Sequence, residues 1–197
     1  MGTATVVAYY LRLSKMQPRL HEHSMKYYAA AMTTSGEWVL LAYRMPREPS
    51  TPRAAVWRKL RRLGAVQVLD GLVTLPHDAR TKEHLEWIAA DVVAAGGQAN
   101  IWLARPATKA HQRSLVSSIA DQSEADYNTL VDQTNAEIET VDHIPATIKR
   151  TVSRLRRDQA RIRQRDYFPG DGFDRSTSAI ARLESRLDTA MEVLTSP

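Results

Sequence analysis

The chain has 197 residues, of which 43% are hydrophobic and 25% are charged, and its formal net charge is +5. A basic balance favours anionic partners, and nucleic acid is the first class to consider. Because cysteine is absent, disulfides, thiolate metal sites and thiol redox chemistry are excluded. No apolar run approaches the roughly 18 residues that a membrane-spanning helix needs, so we expect a cytoplasmic protein with no membrane segment.

The beginning of the chain, residues 1–36, is poorly patterned, and we predict that it forms an extension outside the folded part of the protein. His21, His23 and Met25 lie close together in this stretch. A structural metal site needs about four fixed ligands, so we predict no metal site here.

The next segment predicts a strand followed by a helix that is apolar on one side and basic on the other. The continuous apolar run Trp38–Met45 predicts a strand that is central in a sheet or covered on both faces. Ser50 or Thr51 is the expected N-cap of the helix, and Gly64 is its expected C-terminal cap. Helical spacing groups four apolar residues, which we expect in the core: Val56, Trp57, Leu60 and Leu63. The opposite side carries Arg58, Arg61 and Arg62.

A hairpin, a second helix and a fourth strand follow. Asp70-Gly71 between two apolar runs predicts a two-residue type I′ turn. Thr81 is the expected N-cap of the second helix, whose predicted buried stripe is Leu85, Ile88, Ala89 and Val92. Trp87 lies opposite that stripe, where it is either an interface residue or packed against the C-terminal helices. The order strand, helix, strand, strand, helix, strand predicts a ferredoxin-like βαββαβ domain over residues 37–105, within an α+β fold.

Residues 106–197 are predicted to be an all-α region, formed by a helical hairpin and one last helix. The first helix is acidic, with no lysine or arginine between Ser114 and Ile148, and the second helix is rich in arginine. The predicted break between them is His143-Ile144-Pro145. An antiparallel hairpin would pair the two charges, although exposed pairs contribute at most about 1 kcal/mol each. Since the basic residues spread around the second helix, we expect some to remain for phosphate or another subunit.

The sequence contains no recognisable motif of an enzyme. It has no Gly-rich phosphate loop, no His-Glu-x-x-His and no serine or cysteine nucleophile motif. Ferredoxin-like nucleases bind a metal through an acidic residue at the end of the first strand, but here that strand ends in Tyr43-Arg44-Met45. We therefore predict a protein that is not an enzyme and needs no cofactor, and a metal-dependent nuclease is disfavoured.

Three stretches carry a resemblance to a known family. They are V-W-R-x-L-R-x-L-G-A-V from Val56 with the hairpin after it, the strand G-G-Q-A-N-I-W-L-A, and R-D-Y-F before the last helix. From about Glu37 to Leu194 the chain resembles the N-terminal domain of ChrB chromate-resistance proteins. The half that contains the hairpin is also similar to the C-terminal part of PaaX-type repressors and to small CRISPR-associated ferredoxin-like nucleases.

The resemblance implies a cytoplasmic regulator of a chromate-efflux operon, which binds promoter DNA as a homodimer and responds to chromate. Family members commonly continue into a second domain, whereas this sequence ends at Pro197, so a separate partner similar to the ChrB C-terminal domain is also expected. The first-choice DNA contacts are Arg53, Arg58, Lys59, Arg61 and Arg62. The second-choice contacts are Arg154, Arg156, Arg157 and Arg161.

Two other functions remain open at this point. One is a protein-interaction or dimerisation module, with Trp87 in the interface and the basic helix neutralised by its acidic neighbour. The other is an oxyanion sensor, in which Arg163 and Arg165 hold chromate by charge-assisted hydrogen bonds. For Arg165 and Asp166, a purely structural role as a cap and packing turn is the competing interpretation.

Overall fold

The computed structural model describes residues 36–140 and 145–195, and this part of the chain forms four strands and five helices. Nearly all of the predicted extension, with His21 and His23, lies outside the described residues. The elements in chain order are β1 Trp38–Arg44, α1 Ser50–Leu63, β2 Val66–Leu69, β3 Leu72–Pro76, α2 Ala79–Ala94, β4 Gln98–Ala104, α3 Lys109–Thr140, α4 Pro145–Arg163 and α5 Gly172–Thr195.

The four strands form one antiparallel sheet in the order β2-β3-β1-β4. In its centre, Val39 of β1 lies opposite Leu75 of β3 and Leu103 of β4. The prediction that the continuous apolar run is a central strand is therefore confirmed. Because successive side chains of a strand point to opposite faces, Trp38 and Leu40 lie on the face away from Val39.

The sheet face that carries Val39 is covered by α1 and α2. α2 packs across β1 and β4, and α1 lies beside α2, which places α1 over the β3 side of the sheet. The buried stripe predicted for the second helix is confirmed at Leu85, Ile88 and Val92, with Ala89 at its margin. The shared core consists of Val39, Leu41, Val56, Leu60, Val73, Leu75, Leu85, Ile88 and Val92.

The opposite face of the sheet is covered in part by the first turns of α3. The indole Nε1 of Trp38 donates a hydrogen bond of 3.0 Å to Oε1 of Gln112. A cavity of about 170 Å³ lies next to Trp38 and Leu40, under the start of α3. Trp38 belongs to a second core, which also contains Leu115, Val116 and Ile119.

The remainder of α3 packs with α4 and α5 around a third core. Its buried residues are Tyr127, Leu130, Ile148, Leu155, Ile162, Ile180 and Leu183. Gln159 is a buried polar residue at this contact, and its Nε2 donates to the hydroxyls of Ser176 at 2.8 Å and Thr177 at 2.9 Å. The predicted stripe positions Val141, Leu187, Met191 and Leu194, and the predicted break at residues 143–145, fall outside the described side chains.

None of the helices within residues 36–140 and 145–195 is long and apolar enough to cross a bilayer.

Both predicted N-caps are wrong. α1 begins after Pro49, which makes no side-chain capping bond, and Ser50 and Thr51 lie inside the helix. The N-cap of α2 is Asp78, whose carboxylate accepts from the backbone N–H of Thr81 at 2.6 Å. In return the Thr81 hydroxyl accepts from the Asp78 N–H at 2.9 Å, which completes a capping box. Thr81 therefore takes part in the capping box, but the N-cap residue itself lies three positions earlier than predicted.

The predicted type I′ turn is also wrong, although the hairpin forms. Gly71 has a φ of +73°, whereas no residue other than glycine has a positive φ in the described part of the chain, so Asp70 does not. A type I′ turn needs positive φ at both positions. The ladder instead contains an irregularity between Gln67 and Leu69. The Gly71 carbonyl accepts a 2.7 Å hydrogen bond from the Tyr43 N–H, which holds the turn against β1.

Candidate nucleic-acid interface

One side of α1 presents a basic surface to solvent. The helix is anchored by Val56 and Leu60, which are buried against the sheet. Its outward part carries four exposed arginines: Arg53, Arg58, Arg61 and Arg62. We call these four residues, together with Trp57, the α1 cationic face.

None of the four arginines is paired with a carboxylate of the described residues. Arg53 donates to the backbone carbonyl of Arg47 at 3.1 Å, and Arg58 donates to that of Ala54 at 3.3 Å. Arg62 makes no hydrogen bond or ion pair with the described part of the chain. The positive charge of this surface is therefore not neutralised within the molecule, as binding to phosphates requires.

Lys59, the remaining first-choice contact, differs from its neighbours. It points toward α2, where its Nζ lies 2.5 Å from the carboxylate of Asp91. Both side chains remain partly exposed, so this pair contributes little to stability. It does reduce the charge that Lys59 can offer to a phosphate.

Trp57 is not a core residue, and that prediction is wrong. Its side chain is 41% exposed, because position 57 is turned about 100° around the helix from the buried Val56. The guanidinium carbon of Arg61 lies 5.9 Å from the centroid of the Trp57 ring. Arg53, Trp57 and Arg61 follow each other at intervals of four residues and so share one side of α1. The surface thus combines cations with an aromatic ring, the two groups that bind backbone phosphates and stack on bases.

The second-choice arginines lie on α4 and are mostly neutralised. Arg154 pairs with Glu137 of α3 at 2.8 Å, and Arg156 pairs with Glu184 of α5 at 2.7 Å. Arg161 pairs with a carboxylate of its own helix, and Arg157 has no partner within the described residues. The acidic helix α3 therefore pairs with the basic helix α4 through Glu137, and Glu184 of α5 supplies a second carboxylate to α4.

Arg163 and Arg165 are also paired with carboxylates. Arg165 lies 2.7 Å from the carboxylate of Asp126, and Arg163 lies 3.2 Å from that of Asp166. The Asp166 side chain is 2% exposed. Burial raises its pKa above the ordinary value of 3.8, against the opposing effect of Arg163. An oxyanion at this position would compete with two carboxylates that are already in place.

Asp166 also accepts a 3.3 Å hydrogen bond from the hydroxyl of Tyr127. Burial raises the pKa of Tyr127 well above its usual range, and the nearby charge of Asp166 adds to this effect. The Tyr127 hydroxyl is therefore a neutral donor near neutral pH. The contact links the segment after α4 to α3.

The segment Arg165–Phe168 joins the sheet to the helical region, and we call it the junction segment. The Tyr167 hydroxyl donates to the Leu63 carbonyl at the end of α1, at 2.9 Å. The Phe168 ring lies 6.3 Å from that of Trp38. A packing turn was one of the two interpretations predicted for Arg165 and Asp166, whereas Tyr167 and Phe168 were singled out only as part of the family signature, and their contacts with α1 and β1 were not predicted.

Beyond Trp57, the sheet unit exposes five large apolar side chains: Leu69, Trp87, Val93, Trp102 and Leu103. Trp87 is 67% exposed, so its alternative placement against the C-terminal helices is wrong, and its role in an interface remains a prediction. Trp102 and Leu103 of β4 are 60% and 50% exposed, which the sequence patterns did not predict. The available signal was the predicted fold, in which the fourth strand lies at an edge.

These features define a class: a protein of mixed helices and strands, with a four-stranded antiparallel sheet, a helical region docked on it, and a first helix whose arginines have no carboxylate partner among the described residues. The family model described as "Protein ChrB, N-terminal" matches residues 53–195, and the chain belongs to this family. Protein ChrB of Cupriavidus metallidurans is 29% identical over 172 residues, which cover 81% of this chain and 48% of that protein. The chain thus spans about half the length of this curated relative. The suspected resemblance is confirmed.

Proposed function

We propose that the chain is a ChrB-type regulatory protein of a chromate-resistance system, which acts in the cytoplasm, binds promoter DNA as a dimer and is not an enzyme. The observation that carries this proposal is the α1 cationic face, whose four arginines have no carboxylate partner among the described residues. Family membership supports the regulatory role.

We further infer that the sheet unit has a ferredoxin-like fold. The strand order β2-β3-β1-β4 and the antiparallel pairing of every neighbour support this inference. So does the position of α1 and α2 in a single core on one face. In this arrangement α1 is an outer layer of the unit, which leaves its basic side accessible to a duplex.

The chemistry expected at α1 is contact with phosphates, supplemented by the ring of Trp57. A helix of 14 residues is about 21 Å long, so its arginines reach phosphates on both sides of a groove. Each phosphate contact releases a counterion and adds about 0.9 to the slope of log affinity against log salt. Such contacts position the protein but carry little sequence information.

The test is fluorescence anisotropy with a duplex from the upstream promoter region, across several salt concentrations. We expect the triple variant Arg58→Ala, Arg61→Ala, Arg62→Ala to bind more weakly and to lower the salt slope by about 3. The matched control replaces Arg154, Arg156 and Arg161, which are paired with carboxylates. Absent or salt-independent binding by the unmodified protein would sink the proposal. So would a control variant that weakens binding more than the α1 variant does.

Chromate is the proposed effector, together with a separate partner similar to the ChrB C-terminal domain. Because Arg163 and Arg165 already pair with Asp166 and Asp126, we expect this chain alone to bind chromate no more tightly than sulfate. Isothermal titration calorimetry with the two anions measures this directly. A clear preference for chromate would instead make the chain itself the oxyanion sensor.

A protein-interaction module is the second candidate, because Trp87 is 67% exposed on α2. In that case Trp87→Asp would abolish association of the protein with its partner, and no DNA binding would be detected at any salt concentration. Light scattering together with the anisotropy experiment separates the two functions.

A further inference from the structure

The outer edge of β4 carries none of the features that normally protect an exposed strand. Within the described part of the chain, β4 pairs with β1 on one side only, in an unbroken register from Trp38↔Ala104 to Arg44↔Gln98. Its seven residues, Gln98–Ala104, include no charged residue and no proline. Natural proteins protect exposed edges with charges, prolines, bulges or short strands. This edge is therefore open to pairing with another strand.

The other edge of the sheet contrasts with β4. β2 has only four residues, Val66–Leu69, and its ladder contains an irregularity. Asp70 places a charge at the end of β2, and α3 packs over the face that carries Val66 and Val68. Leu69 at the end of β2 is 66% exposed, but a short, irregular and partly covered edge still discourages pairing. Any strand addition to this sheet is therefore directed to β4.

The exposed side chains of β4 lie on both faces of the sheet. Trp102 is 60% exposed and lies opposite Leu40, on the face toward α3. Leu103 is 50% exposed and lies opposite Val39, on the face toward α2. A helix placed on one face would cover only one of the two side chains. An added strand, whose own side chains alternate between the faces, covers both.

We propose that β4 pairs antiparallel with β4 of a second copy of this chain, about a two-fold axis perpendicular to the sheet. The pairing joins the two sheets into one of eight strands. This inference deepens the proposed function by naming the interface of the proposed dimer.

A second copy fits this edge because the strand is self-complementary. Trp102 and Leu103 of the two copies come together around the axis. Each copy has a net charge of +5, but the strand is neutral, so pairing places no like charges opposite each other. Arg105 follows the strand directly and is held by Glu37 of its own chain at 3.0 Å.

The size of the interface sets the expected affinity. Two strand edges with one tryptophan and one leucine from each copy remove on the order of 1,000 Å² in total from solvent, near the lower limit for a specific interface. We therefore expect a dimer that dissociates in the micromolar range.

The pairing also fixes the positions of the two α1 cationic faces. A two-fold axis perpendicular to the sheet keeps both copies of α1 on the same face. α2 lies over β1 and β4, and α1 lies one helix further from the axis. Strand and helix spacings then place the two α1 helices roughly 30 Å apart. This separation is close to one turn of B-DNA, the spacing of half-sites that a symmetric dimer contacts.

Sedimentation velocity without DNA tests the interface, so its outcome is independent of whether the protein binds a promoter. We expect the full chain to shift from monomer to dimer between about 1 and 200 µM, where an interface of this size associates. Trp102→Lys and, separately, Leu103→Lys should raise the dissociation constant at least about tenfold. The matched control is Trp87→Lys, which changes an equally exposed tryptophan on α2 and should leave the dimer intact. Thermal unfolding of each variant shows whether it remains folded.

The lack of cysteine in the chain allows a second test in an otherwise unmodified protein. Asn100→Cys places one thiol on β4, two residues from the proposed axis, so the thiols of two paired copies lie roughly 14 Å apart. A bis-maleimide cross-linker that spans this distance should then give a covalent dimer at micromolar concentration. Glu86→Cys, on the exposed side of α2, should not form one at the same rate. The proposal is overturned if the unmodified chain stays monomeric, if neither lysine variant weakens the dimer, or if the two cysteine variants cross-link equally.

Discussion

Gly71 shows how a single residue decides the geometry of the hairpin next to β1. Its φ of +73° is strained for any residue with a Cβ atom. A Cβ at this position would also clash with the backbone carbonyl oxygen of Tyr43. Both the conformation and the close approach of β1 therefore require glycine here.

We expect Gly71→Ala to lower the free energy of unfolding by about 2–4 kcal/mol, the sum of the left-handed conformation and the clash. Gly96→Ala is the matched control, since Gly96 has a φ of +78° but only Pro46 within 4 Å, at 3.9 Å. It should cost about 1 kcal/mol. Urea denaturation measures both values. Equal losses for the two variants would mean that the contact with Tyr43 adds nothing.

Asp166 makes stability depend on pH in a defined direction. Burial raises its pKa above 3.8 in the folded protein, so the folded state takes up the proton before the unfolded chain does. Its contribution to the free energy of unfolding therefore falls as the pH rises from about 4 through the raised pKa. Asp166→Asn removes this titration and keeps an oxygen that accepts from Tyr127. Denaturation from about pH 4 to 7 should show the unmodified protein losing stability relative to Asp166→Asn as pH increases. A constant difference across this range would contradict the assignment.

Among the helices, α1 shows best what the sequence determines and what it leaves open. Helical spacing predicted its buried positions Val56 and Leu60, and Gly64 forms its C-terminal cap as predicted. Trp57 lies at the margin of the same stripe, where burial depends on whether another element covers it. That information comes from the packing of the sheet and not from the period of the helix. The N-cap of α2 was missed because Asp78 and Thr81 each accept from the backbone N–H of the other, so both residues look like caps in the sequence. α1 begins after Pro49 without any side-chain cap.

The different environments of two α1 residues predict different losses of stability. Leu60 is 1% exposed, so Leu60→Ala should cost about 2–5 kcal/mol. Trp57→Ala removes a larger side chain, but one that is 41% exposed, and should cost only about 1 kcal/mol. Chemical denaturation of both variants checks the order. A loss for Trp57→Ala as large as that for Leu60→Ala would restore Trp57 to the core.

The arginines of α4 likewise depend on packing that the sequence pattern does not show. The split between acidic and basic helices predicted that they pair, and Arg154 with Glu137 agrees with it. The pairing of Arg156 with Glu184 of α5 depends on how three helices are arranged, which charge pattern alone does not determine. The sequence therefore indicated that charges pair on this helix but not which arginines stay free.

For the whole molecule, the element order and the antiparallel sheet followed from the sequence, whereas the docking of the helical region did not. The start of α3 covers the second face of the sheet through Leu115, Val116 and Ile119. These residues have helical spacing, but their partner Trp38 is about eighty positions earlier in the chain. Single-sequence patterns specify elements and say little about such distant contacts.

This docking predicts that residues 37–105 do not form a stable domain alone, although they are one of the predicted units. Without α3 and the junction segment, Trp38, Val66 and Val68 lose the apolar partners that cover them. A domain of this size buries only a small apolar core, so the loss is a large fraction of its stability. We expect the fragment to lack a cooperative thermal transition by circular dichroism. Residues 37–197 should retain one. A cooperative transition in the short fragment would establish the predicted boundary as a true domain limit.

The hydrogen bond between Tyr167 and Leu63 also has a consequence for synthesis of the protein in the cell. The two residues are 104 positions apart in the chain. At a translation rate of roughly 5–20 residues per second, about 5 to 20 s pass between the synthesis of Leu63 and that of Tyr167. During this interval the end of α1 lacks its partner, and the sheet face around Trp38 lacks the Phe168 ring. The end of α1 and the sheet face around Trp38 are therefore completed only after residues 167 and 168 have been made, so the sheet unit reaches its full packing late in synthesis.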